Sequence, residues 1–447
     1  MFLYFATCVV NLMSFSATIG LTWTSSAIPR LKRSDDSNPL GREITADEES
    51  LLGSLYIVGS IVGPFLASPI TSRLGRKLTM VIFTLPTIAS FLLEAFVDEM
   101  ALYYLARVLG GLTGGCIYTT IPIYVAEISE SSNRGALAAF FGIFGTLGNL
   151  FSYALGTYVD IKMFSLISLI PPTLMIACLL GCVPETPYHL VAKGDDEEAI
   201  RVLRKFRGKG CDAHGELVQI KKAFECKQER VGFGELIRDS KKALIIAVVG
   251  SSLQQFTGIY AIQIYLQPIF EMAPEGLDPG VATIVIGVAK VITFLLTVLT
   301  VDRLGRRRLL LTSSIGVFVS LGSLGTFFLL ETERVPWFPV ACLVAFVVAF
   351  NFGMGSVPLI LLGELFPPRF KSPAAVLAVT VSQLLAFLIT FAFPLLIRSI
   401  GIGSCFWIFA ASGLICFAFT YALIPETKGK TLLQIQELLH PEKKTIT

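Results

Sequence analysis

Charged side chains are scarce in this sequence, and those with chemistry in them come twice. SRLGRKL (72–78) returns as DRLGRRRL (302–309), AEISESSNRG (126–135) is answered by GELFPPRFKS (363–372), and VPETPYHL (183–190) by IPETKGKTL (424–432). The shifts are nearly constant: 230 residues from Arg73 to Arg303, 237 from Glu127 to Glu364 and 241 from Pro184 to Pro425. In each turn a glycine between arginines lets the chain reverse tightly between two helices. That leaves Arg73, Arg76, Arg303 and Arg306 beside one surface. Glu127 and Glu364 each end an apolar run, and Glu185 and Glu426 each follow a proline that stops one. Guanidinium and carboxylate groups so placed form forked pairs between helices. A cluster of this kind holds two bodies closed on one side and releases them on opening. Arg134 stands seven residues after Glu127, but Lys371 takes that place after Glu364. A lysine has no fork, so the second latch is expected to be the looser one, with Arg369 as the available substitute. The plainer reading, that these charges only mark a membrane surface, does not explain why the carboxylates recur at matched spacing.

Uncharged polar groups supply a second kind of chemistry. Gln254 and Gln255 are adjacent in an apolar run, where amides are costly without partners. Several amides or hydroxyls with an aromatic face alongside suit a ligand that carries many hydroxyls. Lys290 lies in the middle of GVAKVITFLL. A charge there costs at least ~2.5–3.5 kcal/mol unless it is solvated or paired, and it is too far from a helix end to snorkel. It either donates to a solute's hydroxyls, meets an anionic group of the solute, or is paired structurally.

The elements that position these groups follow from composition. Of the 447 residues 53% are hydrophobic and 15% charged, with mean hydropathy +0.71. A soluble surface needs roughly a quarter charged residues. Twelve apolar stretches can be read, at 2–22, 51–71, 78–97, 101–123, 135–158, 163–183, 243–270, 279–301, 308–330, 338–362, 373–397 and 403–424. Each is long enough to cross ~30 Å of hydrocarbon, and in lipid such runs satisfy their backbone only as helices. Those around 101–123 and 338–362 are interrupted by Gly and Pro. With the N-terminus inside, 27 of the 36 Lys and Arg fall on the cytosolic side and 7 outside, which predicts cytosolic termini. The N-terminal run lacks a basic leader and a cleavage site, so it reads as the first span.

This pattern predicts an all-α membrane protein of two six-helix bundles, 1–183 and 243–424, joined by a cytosolic linker, 184–242, and ending in a cytosolic tail, 425–447. The linker spaces its apolar residues helically in DDEEAIRVLRKF (195–206) and ELVQIKKAF (216–224), which predicts short amphipathic helices. The loop from Pro29 to Ser50 carries six acids and reads as a solvated cap. A net charge of +3, with the basic residues along the membrane surface, suggests no nucleic-acid partner. Seven of nine cysteines sit in apolar spans, and Cys211 and Cys226 fall in the reducing cytosolic loop, so no disulfide framework is expected.

The paired RxGR[RK] turns, PIYVAEISESSNRG (122–135), PET after the sixth and twelfth spans, and QQFTG in the seventh together resemble the sugar porter family of the major facilitator superfamily. Segment 185–208 further resembles insect facilitated trehalose transporters and their relatives. The resemblance covers almost the whole chain. It implies a central sugar site near the midplane, and rocking between outward-open and inward-open states in the plasma membrane. A sugar and the bilayer are the implied partners, no cofactor is required, and a monomer suffices. Gln254 and Gln255 match the family's paired glutamines, and Tyr265 one of its tyrosines. Other positions depart from the pattern. Ser72 replaces an Asp, Tyr260 an Asn, and Leu359 and Gln383 two tryptophans, while the polar positions of spans 5 and 8 hold Gly142 and Lys290. Glucose-like specificity therefore does not carry over. The expected substrate set is Gln254, Gln255, Tyr260, Tyr265, Lys290 and Gln383.

Proton coupling needs a carboxylate inside the membrane. No Asp or Glu precedes Asp35, so the first span offers Arg107 no partner, and Glu94 reads as too near the outer end of its span. Passive transport is the favoured expectation. GKT at 429–431 is no phosphate loop, because Ile424 stands where its first glycine is required. No metal cluster, nucleophile triad or cofactor loop can be assembled, so enzymatic chemistry has no support. The rival readings are a porter of another polyol or organic anion, and a sensor that binds without translocating.

Overall fold

The computed structural model describes residues 1–35, 38–130, 132–208, 212–225, 233–274, 277–330, 335–430 and 434–435, except the side chains of 223–225, 233, 239, 301–304, 368, 369 and 372. Among them every regular element is helical, and twelve helices are long and apolar enough to span a bilayer. Several begin or end beyond the apolar run that announces them. The second extends from 51–71 to Ala46–Leu74 because its first turn is capped. Thr45 N donates to Glu48 Oε2 at 2.8 Å, and Glu48 N to Thr45 Oγ1 at 3.3 Å. This reciprocal box satisfies two orphan donors and sets acids at the positive end of the helix dipole.

The chain divides into two compact units, 1–44 with 54–228 and 45–53 with 229–447. In the first, α1 (Phe2–Leu31), α2 (Ala46–Leu74, whose residues up to 53 group with the second unit), α3 (Arg76–Phe96), α4 (Met100–Ile128) and α5 (Arg134–Tyr158) precede a sixth span made of α6 (Ile161–Ser168) and α7 (Ile170–Gly181). Helix α1 packs on α4 and α5, and α3 on α4. Small residues bring α2 and α4 together: a Cβ on Gly111 would lie 2.1 Å from Tyr56 O, and one on Gly59 2.2 Å from Val108 O. Lipid gives no hydrophobic drive for helices to associate, so this approach of backbones supplies the dispersion contacts instead. Three amphipathic helices follow: α8 (Pro187–Ala192), α9 (Asp196–Arg207) and α10 (Ala213–Glu225). Their apolar faces meet in a small core of Leu203, Ala213 and Ile220.

The second unit starts with α11 (Phe233–Asp239), and its seventh span is broken into α12 (Lys241–Phe256), α13 (Ile259–Ile264) and α14 (Leu266–Glu271). Gly258 makes the first break in the left-handed region at φ 73°, where a side chain would also strike the Phe409 ring. Then come α15 (Pro279–Leu304), α16 (Arg306–Leu329), α17 (Phe338–Phe352), α18 (Val357–Leu365), α19 (Pro368–Ile400) and α20 (Ile402–Leu423). Of the two Gly/Pro-interrupted runs, the one at 101–123 is continuous as α4, and the one at 338–362 breaks between α17 and α18. Helix α16 packs on α17 and α20, α12 on α19, and α15 on α17.

Candidate functional site

The duplicated charges assemble in the same way in each unit. Gly75 and Gly305 take φ 93° and 88°, so each turn needs its glycine for conformation. Space requires it too: a Cβ would lie 2.2 Å from Glu185 Oε2 in the first turn and 2.8 Å from Glu426 Oε2 in the second. Those carboxylates cap the following helices instead of clasping an arginine fork. Glu185 accepts from Arg76 N at 3.2 Å and Lys77 N at 3.0 Å, and Glu426 from Arg306 N at 3.0 Å and Arg307 N at 3.3 Å. Each thereby satisfies first-turn donors at the positive end of a helix dipole.

The arginine side chains reach the other carboxylates. Arg76 Nη2 meets Glu127 Oε1 at 2.7 Å, and Arg306 sets Nε and Nη2 3.1 and 3.0 Å from Glu364 Oε1. Neither pair is the two-oxygen fork expected from the motif. Nor is Arg134 the partner of Glu127: its side chain is exposed, and α4 ends at Ile128, before α5 begins at Arg134. Lys371 likewise makes no ion pair among the described residues, Arg73 is exposed, and the side chains of Arg303 and Arg369 lie outside the described residues. The two carboxylates also differ in their second oxygen. Thr427 donates to Glu364 Oε2 at 2.6 Å, whereas Glu127 Oε2, Arg76 Nε and His189 Nε2 are buried without a partner. His189 Nδ1 lies 3.4 Å from Arg76 Nη1, and burial, Lys193 and Arg76 together hold its pKa below the usual histidine value. Arg207 ties α9 to the end of α4. It donates to the carbonyls of Ile128 and Ser129 and pairs with Glu216 at 2.8 Å.

The two caps differ in their response to protons. Burial raises the Glu185 pKa above its ordinary value, outweighing the backbone donors and Arg76. At Glu426 burial also pushes upward, but four backbone N–H groups prevail and the pKa falls below the ordinary 4.5. A lowered carboxylate pKa stabilises the fold above 4.5, and that stability is lost as pH falls through the folded value; a raised one does the opposite. Glu426→Gln should therefore cost about 1–2 kcal/mol at neutral pH, and Glu185→Gln no more than about 0.5. Thermal unfolding in detergent at pH 7 and pH 4 checks this. An equal loss for both variants at pH 7 would refute it.

The polar groups of the second unit gather around its two broken helices. Gln255 Nε2 donates to Ser382 Oγ on α19 at 2.9 Å, and Gln254 Nε2 to Gly355 O, in the break between α17 and α18, at 3.3 Å. Two buried atoms here have no protein partner, Gln255 Oε1 as an acceptor and Asn351 Nδ2 as a donor. Asn351 escaped the sequence reading; its one signal is its place just before the Gly-rich break of the tenth span. Tyr265 is buried, donates to Glu49 O at 3.2 Å and packs on Phe393 at 5.7 Å, so it holds the break between α13 and α14. Gln383 is buried on α19 beside Ser382, Tyr260 is half-buried, and Leu359, at a family tryptophan position, is 65% exposed. Lys290 Nζ donates to Gln263 Oε1 at 2.6 Å, a partner the sequence reading did not name.

The first unit holds a buried charge cluster that includes Glu94 and that sequence spacing does not reveal. Glu94 and Arg107 are both fully buried and lie 3.6 Å apart. The guanidinium also donates to the carbonyls of Gly20 and Leu21 on α1, and lies 4.9 Å from the Tyr56 ring centre and 5.8 Å from that of Trp23. Ser90 Oγ is 3.4 Å from Glu94 Oε1, while Oε2 has no partner. Nearness to the outer end in sequence does not mean exposure, because α3 turns this face onto α4.

Twelve spans in two six-span halves, breaks in the seventh and tenth, and mirrored charge clusters define a membrane carrier of the major facilitator type. The model of the "Sugar (and other) transporter" family matches residues 12–439, and the chain belongs to that family. It is 31% identical to the facilitated trehalose transporter Tret1 of Polypedilum vanderplanki over 443 residues, covering 96% of this chain and 86% of that one. It is 30% identical to human solute carrier family 2, facilitated glucose transporter member 6, covering 99% and 92%. In fold it is similar to the xylose transporter XylE of Escherichia coli, with TM-score 0.82, 23% identity and coverage of 98% and 99%.

Proposed function

We propose that the protein is a facilitative carrier of a sugar or a sugar derivative, working by alternating access as a uniporter in the plasma membrane with both termini cytosolic. One observation carries this reading: Gln255 Oε1 and Asn351 Nδ2, an acceptor and a donor, are buried without partners in the unit with two broken spans. Buried polar atoms are rarely left unsatisfied, and a ligand bearing several hydroxyls completes both. The relatives named for trehalose and glucose transport point to the same class of solute. The Arg76–Glu127 and Arg306–Glu364 pairs are assigned to the gate, and Gln254, Gln255, Asn351, Gln383 and Lys290 to the solute.

Proton coupling is the second reading, and Glu94 with its unpartnered Oε2 is the observation behind it. The facilitative reading stands ahead because that carboxylate already neutralises Arg107. Uptake of radiolabelled trehalose, glucose, a polyol and a sugar acid into oocytes expressing the chain, at two pH values, tests both. Saturable entry that stops at equilibrium and is equal at both pH values is expected. Accumulation above equilibrium on acidification selects coupling, and saturable binding without flux selects a sensor.

A further inference from the structure

The charges inside the membrane do not balance. Across the twelve apolar stretches the sequence has three ionisable residues of full charge near their centres or packed ends: Glu94, Arg107 and Lys290. Glu94 and Arg107 neutralise one another at 3.6 Å. No Asp or Glu occurs in 243–270, 279–301, 308–330, 338–362, 373–397 or 403–424, so the half that holds Lys290 offers it no counter-charge within the membrane. Its contact is the neutral amide oxygen of Gln263, and among the described residues it has no ion pair.

The amine is not turned to lipid. Six exposed residues of α15, Val281, Val285, Val288, Ile292, Leu295 and Leu299, form a stripe at helical spacing, with Leu296 and Val298 also exposed nearer its C-terminal end. Lys290 lies two residues from both Val288 and Ile292, on the opposite side, in line with the buried Ile286, Thr293 and Thr297. The start of α15 is about 16 Å away at 1.5 Å per residue, well beyond the side chain's reach. Lys290 itself is half-buried, on a face of α15 that packs away from that stripe.

We propose that the preferred solute carries an anionic group, the carboxylate of a sugar acid being the chemical class, and that Lys290 is its counter-charge. This rests on the carrier reading above. The solute's carboxylate replaces the Gln263 amide as the acceptor of the Nζ protons, and its hydroxyls satisfy Gln255 Oε1 and Asn351 Nδ2. A charged group at the midplane is tolerated when it is paired, and here the pair is completed by the cargo. Lys290 is thus a specificity-determining residue, one that sets which solutes are accepted.

The test is uptake of labelled glucuronate, glucose and trehalose into proteoliposomes containing the full chain, as wild type, Lys290→Gln and Lys290→Arg. Wild type should favour glucuronate over either neutral sugar by tenfold or more. Lys290→Gln should lose at least tenfold of the glucuronate flux while keeping or gaining neutral-sugar flux, and Lys290→Arg should recover part of the anion preference. Neutral-sugar flux with no glucuronate flux in wild type overturns the proposal and leaves the carrier reading standing. A Lys290→Gln variant that loses all fluxes equally, including the arginine form, also overturns it, since the lysine is then structural. Absence of flux for every solute overturns the carrier reading itself and this proposal with it.

Discussion

Glu94→Ala is expected to cost about 3–5 kcal/mol of folded-state stability, enough to lose most of the protein during membrane extraction. The substitution leaves the Arg107 guanidinium fully buried between Tyr56 and Trp23 with carbonyls but no anion. Removing one member of a buried pair is worse than removing both, because the desolvation cost of the survivor is no longer offset. Glu94→Leu combined with Arg107→Leu should therefore recover stability to within about 1 kcal/mol of wild type. The thermal midpoint of detergent-solubilised protein, read by size-exclusion of heated samples, checks both. Full stability of the single variant, or a double variant worse than it, would show that the pair does not hold α3 against α4.

The second large effect is expected at the gate. A charge-assisted hydrogen bond is worth about 1.5–3 kcal/mol, and each 1.4 kcal/mol shifts a two-state equilibrium tenfold. Neutralising a pair present in one conformation and absent in the other should lower transport by tenfold or more while leaving the protein folded. The halves are not equal. Glu364 uses both oxygens, accepting from Arg306 and Thr427, whereas Glu127 Oε2 has no partner. Glu364→Gln should accordingly depress the maximal uptake rate more than Glu127→Gln, at unchanged expression. Exchanging the charges in Arg76→Glu with Glu127→Arg should restore part of the rate lost in either alone. A larger loss in Glu127→Gln would reverse the assigned order, and normal rates in both would remove these pairs from the gate.

That order runs against the motif reading, and the reason lies in geometry that spacing does not hold. Glu127 and Arg134 are seven apart, which would stack them on one continuous helix, but α4 stops at Ile128 and Arg134, at the head of α5, is exposed. The arginine that does arrive comes from 51 residues away, placed by the left-handed Gly75 at the head of α3. Lys371, which follows Glu364 at the same spacing, likewise makes no ion pair among the described residues, and Arg306 pairs with Glu364 instead. Thr427 contributes to that latch, and its position in the tail beside Glu426 gave no sign of that role.

Length and order of apolar runs are properties of one dimension, and so the sequence alone determined the helical class, the twelve spans and the doubling, as well as the turn glycines and the glutamine pair. Lipid leaves such runs no alternative to helix, and a repeated motif is visible without folding. Which side chain meets which depends on the rotation of each helix about its axis, 100° per residue, and on where a helix breaks. Only the tertiary structure could therefore bring Glu94 to Arg107, seat Lys290 against Gln263, expose Asn351 as an unsatisfied donor, and turn Glu185 and Glu426 from arginine partners into helix caps.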